Sequence, residues 1–75
     1  MEQVVIEVAA KALKTTTEEV VKHSKKIEGV NAYYFWQPVR GGVAVIVSPD
    51  GQKLGATSSV SFEKHLEAFQ KGKRN

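Results

Sequence analysis

A chain of 75 residues with a net charge of +3, 41% hydrophobic residues and no cysteine has room for one domain, burying roughly 60–65% of the surface its unfolded form exposes. Without cysteine, neither a disulfide framework nor a thiolate metal site can reinforce so small a core, and a reducing, cytoplasmic setting is expected. No run approaches the roughly 18 apolar residues of a membrane helix, and Met1-Glu2-Gln3 is not the basic start of a signal peptide.

Charge divides the chain. Between Gly29 and Phe62 only Arg40, Asp50 and Lys53 are charged, and the remaining charges crowd the two ends. An apolar middle flanked by solvated, helix-like ends follows from that pattern.

From Glu2 to Lys14, Val4, Val5, Val8, Ala9, Ala12 and Leu13 fall on one arc of a helix, with Gln3, Glu7, Lys11 and Lys14 on the other. Thr15-Thr16-Thr17 breaks this pattern. Thr15 with Glu18, or Thr16 with Glu19, then supplies a capping box for a second helix over about 16–27, with Val20, Val21, Ser24 and Ile27 on its apolar face and Gly29 at its end. From Asn31 the period changes to two, and strands are expected over about 31–37, 43–48 and 52–58. Pro38 closes the first of these or puts it on an edge. Ser48-Pro49-Asp50-Gly51 reads as a type I turn with glycine in the following left-handed position. Ser61 caps a last helix over about 62–71, whose stripe is Phe62, Leu66 and Phe69. The expected fold is a single small α+β domain of order α-α-β-β-β-α, a three-stranded antiparallel meander packed against helices.

Both faces of the first hairpin are apolar: Tyr34, Trp36 and Ile46 lie on one, and Tyr33, Phe35, Val43, Val45 and Val47 on the other. Each face therefore needs a cover. Either the last helix covers one face and the first two helices the other, or all three helices share a side and the open face meets a partner. The second arrangement makes Tyr34, Trp36 and Ile46 the candidate partner surface, for another protein or a second copy of this chain. The first and last strands also offer edges for main-chain pairing.

The alternative reading is weak nucleic-acid binding. Residues Ile6 to Ile27 resemble a degenerate helix-turn-helix, with Ala10 at the small position, Leu13 before the turn and Val20 inserted from the second helix. The candidate basic contacts are Lys22, Lys25, Lys26, Arg40, Lys73 and Arg74. Against this reading, Lys14 stands where the motif favours glycine, His23 takes a usually apolar position, and Glu18 and Glu19 open the helix that would face phosphates. The net charge resides mostly in the tail, and the aromatics lack the interleaved cations of a base-stacking platform.

Catalysis is not expected. Asp50 is explained by its turn, His23 and His65 border apolar stripes, and no spacing assembles a nucleophile, an acid–base pair or a metal site. Gly51-Gln52-Lys53-Leu54-Gly55-Ala56-Thr57 lacks the lysine a phosphate loop needs before its hydroxyl. No cofactor or metal is expected. The sequence reads as a small non-catalytic protein-interaction domain.

Overall fold

A computed structural model of the chain describes residues 2–39, 41–57 and 59–74. In chain order they form α1 (Gln3–Leu13), α2 (Thr17–Lys22), β1 (Ser24–Lys26), β2 (Tyr33–Trp36), β3 (Val43–Val47), β4 (Lys53–Thr57) and α3 (Phe62–Gln70). The strands make one antiparallel meander, β1-β2-β3-β4. The α+β class and the flanking helices are as the sequence implies, and the sheet gains a fourth strand.

That strand replaces half of the expected second helix. Thr16 Oγ1 accepts the Glu19 N–H at 3.2 Å, so the cap forms, but α2 ends at Lys22 and does not run to Ile27. His23 leaves the helix at φ −120°, ψ 56°. Ser24, Lys25 and Lys26 then pair with Phe35, Tyr34 and Tyr33. The Trp36 N–H reaches the His23 carbonyl at 3.1 Å, and the Ile27 N–H reaches the Ala32 carbonyl at 3.1 Å. The gain lies with β2, whose outer main-chain groups would otherwise lack partners. Gly29 keeps its positive φ of 76°, but turns β1 into β2 and caps no helix.

α1 buries Val5, Ala9, Ala10 and Leu13 and stops at Lys14, whose φ of 55° is the left-handed conformation a glycine usually supplies. The Lys14 N–H bonds the carbonyls of Ala10 and Lys11, and the Thr15 N–H reaches Ala10 at 3.0 Å. These bonds satisfy the last carbonyls of the helix and hold the lysine there.

Two cores lie on opposite faces of the sheet. Val5, Ala9, Leu13 and Val20 pack with Phe35, Val45 and Val47. On the other side Ile27, Ala32, Ile46 and Phe69 form a second cluster, joined by Tyr34, Leu54, Phe62 and Leu66. The arrangement is the three-layer sandwich: α1 and α2, then the sheet, then α3. Buried His65 fastens the third layer. Its Nε2 lies 2.6 Å from the Leu54 carbonyl, which only accepts, so Nε2 carries the proton and ties α3 to β4. Ser61 Oγ caps α3 by accepting the Lys64 N–H at 3.3 Å.

The β3–β4 turn closes as expected. The Gly51 N–H bonds the Ser48 carbonyl at 2.9 Å, and the Ser48 N–H bonds the Gln52 carbonyl at 2.9 Å. The Asp50 carboxylate accepts from the Ser48 hydroxyl and the Gln52 N–H, and these bonds hold it below its ordinary pKa. Gly51 sits at φ +92°, and a Cβ there would stand 3.3 Å from Val4 Cγ2 on α1. Gly51→Val is expected to cost about 1–3 kcal/mol, because a β-branched residue resists that φ. Urea unfolding measures this, and an unchanged midpoint would remove the constraint assigned to the turn.

Candidate functional site

Tyr34, Trp36 and Ile46 do not form one open surface. Tyr34 pairs with Ile46 across β2 and β3, but Ile46 is 0% exposed beneath α3. Its place in a partner surface is therefore corrected to the core. The cover comes from the Phe62, Leu66 and Phe69 stripe together with Ile27, Val30 and Ala32 of the β1–β2 connection. Tyr34 is half-buried, its ring edge-on to Phe62 at 4.7 Å, and burial raises its phenol pKa above the usual value.

Trp36 lies farther along β2. It stacks on Tyr34 at 5.7 Å with 27° between the planes and meets His23 edge-on at 6.2 Å. It remains half-buried, and beside it runs a groove to which Val39, Val43, Val60, Thr57 and Phe62 contribute. Val39 is 62% exposed, Val43 37% and Val60 39%. None of the described residues lining this groove is charged. Gln37 secures it: Nε2 donates to the Leu13 carbonyl at 2.9 Å, and Oε1 accepts the Val43 N–H at 2.9 Å. Gly42 is needed there for space, since a Cβ would fall 2.9 Å from Gln37 Cβ and 3.0 Å from the Val39 oxygen.

Across Trp36, a second cleft of about 270 Å³ includes Lys14, Thr15, Glu19, His23 and Pro38 in its wall. His23 Nδ1 stands 3.0 Å from the Glu19 carbonyl, which only accepts, so Nδ1 donates that bond. That bond fixes the imidazole against α2. Among the described residues no three histidine, aspartate or glutamate side chains come together as a metal-binding group.

The candidate basic residues are dispersed. Lys22 pairs with Glu19 at 3.6 Å, and the Lys25 ammonium lies 4.3 Å from the centre of the Phe62 ring. Lys26, next along β1, is exposed and falls on the opposite face of the strand. Lys73 is exposed in the tail. Arg74 lies over the Phe69 ring at 3.7 Å, and its Nη1 donates to the Phe69 and Lys73 carbonyls at 2.7 Å. Lys25 therefore guards the start of α3 and Arg74 its end. Arg40 lies outside the described residues. The second helix of the helix-turn-helix reading is shorter than the sequence suggests: α2 has 6 residues, and Lys25 and Lys26 belong to an edge strand.

No helix among the described residues is long and apolar enough to cross a membrane. Comparison with protein-family models, curated proteins and solved structures gives no match.

Proposed function

We propose that the chain is a small non-catalytic protein-interaction domain, that its contact surface is the groove beside Trp36, and that a second copy of the chain is its partner. One observation carries this reading: of the large hydrophobics left exposed, Val39, Val43 and Val60 gather at one groove with Trp36 and no charged lining residue among those described. Apolar side chains grouped around an aromatic anchor favour protein contact over solvent. Two copies each carrying +3 repel in general, and a groove whose described lining residues carry no charge, with Lys25 standing over its Phe62 end, is approached at less cost than the lysine-bearing β1 edge. The β1 edge is a poorer contact, since Lys25 and Lys26 oppose the pairing of like strands.

The test is sedimentation equilibrium over a concentration series. The expected result is a reversible dimer that Val39→Ser with Val60→Ser abolishes, while the melting temperature of the dilute monomer stays unchanged because both side chains are exposed. A chain that keeps its 8.2 kDa monomer mass at every concentration would overturn self-association.

A further inference from the structure

A separate cleft of about 490 Å³ opens between α1 and the β3–β4 turn. Val8, Lys11 and Ala12 contribute from α1, Gln52 and Lys53 from the turn and the start of β4, and Arg74 from the tail. Three cations far apart in sequence thus line one concavity, and no carboxylate lines it among the described residues. The fold explains the meeting. Burial of Val5 and Ala9 turns Val8 and Ala12 to the margin of α1, and the turn closes against that margin, since a Cβ on Gly51 would lie 3.3 Å from Val4 Cγ2 and 3.8 Å from Val8 Cγ2.

Arg74 is positioned before any ligand arrives. Its stack on Phe69 and the two bonds from Nη1 hold the guanidinium in place, with Nε and Nη2 making no hydrogen bond to the described residues. Lys11 is exposed and makes no ion pair among the described residues. The nearby Asp50 carboxylate accepts hydrogen bonds from Ser48 and Gln52 within its own turn, and the Arg74 charge adds a smaller attraction that helps hold its pKa down. Between the cations the surface is hydrocarbon, from Val8, Ala12 and the lysine stems.

We infer that this cleft binds a small phosphate monoester carried on an apolar group, its phosphate held by Lys11 and Arg74 and its apolar part resting on Val8 and Ala12. A phosphate monoester carries about −1.5 to −2 charge near neutral pH and suits more than one cation, and guanidinium matches its oxygens in geometry. The concave, hydrocarbon-floored shape suits a free ester better than the headgroup of a lipid within a flat membrane.

Titrating the isotopically labelled chain with hexyl phosphate, followed by amide NMR, tests this. Saturable shifts are expected at Val8, Lys11, Ala12, Gln52 and Lys53, while inorganic phosphate and hexanol need at least about tenfold more for the same response. Lys11→Gln, at an exposed helix position, is expected to keep the amide spectrum and weaken binding by about fivefold. Any of four results would overturn the inference: no saturation, an equal response to inorganic phosphate or hexanol, unchanged affinity in Lys11→Gln, or binding only to phosphatidate-containing vesicles.

Discussion

Ile46→Ala is expected to lower the unfolding free energy by about 2–5 kcal/mol, a large part of what a domain of this length possesses. Ile46 sits in β3, an inner strand with β2 on one side and β4 on the other, and its side chain is fully enclosed beneath α3. Truncation removes hydrocarbon from the cluster that joins Ile27, Ala32 and Phe69. Neighbouring strands fix the main chain on both sides, so the walls cannot collapse to fill the gap. Urea unfolding should show a lower midpoint with an unchanged slope, the mark of lost stability without a change in the surface exposed. If Ile46→Ala melted like the parent and lost self-association instead, the residue would belong to a contact surface and α3 would not cover it.

The helices and the three later strands were legible because their signals are local. The 3.6 period of α1, the caps at Thr16 and Ser61, and the Ser48–Gly51 turn each depend on residues close in sequence, and each appears in the structure. β1 was not legible. Val20, Val21, Ser24 and Ile27 have helical spacing, yet Val20 lies in the core beneath α1 and Ile27 in the core beneath α3. A continuous helix keeps residues seven apart on one side, so the chain must leave the helix between them and cross the edge of the sheet. Ser24-Lys25-Lys26 has neither β-branched nor aromatic residues, and its strand character comes from β2, which needs a partner.

The candidate surface was half legible for a related reason. Alternation assigns Trp36 and Ile46 to one face, but the length of that face α3 can cover depends on where the helix lands. It covers Ile46 and leaves the Trp36 end open. The signal that marks the groove is the placement of Val39 and Val60 outside any strand or helix, beside Pro38 and Ser61, where apolar residues have no periodic role. Bringing them together with Val43 takes the hairpin and the β4–α3 connection at once. The cations of the phosphate cleft show the same limit, since residues 11, 53 and 74 share no local pattern.

Phe35→Ala is expected to lower the unfolding free energy by about 3–5 kcal/mol. Its ring is 0% exposed at the centre of the α1 and α2 side, within the cluster that includes Val5, Ala9, Leu13, Val20 and Val45. β2 also joins the two strands on which both cores depend, through its pairs with β1 and β3. Loss of the ring therefore loosens the contact of both N-terminal helices with the sheet. Trp36 is the next residue, alternates to the opposite face, stacks on Tyr34 of the second cluster and is the chain's one tryptophan, so its fluorescence reports on that face of the sheet. If the domain unfolds as one cooperative unit, tryptophan emission and far-ultraviolet circular dichroism of Phe35→Ala will shift together to the same lower urea midpoint. Tryptophan emission that kept the parent's midpoint while the helical signal was lost earlier would show that the two cores unfold separately, and the sheet would then be a partition between them.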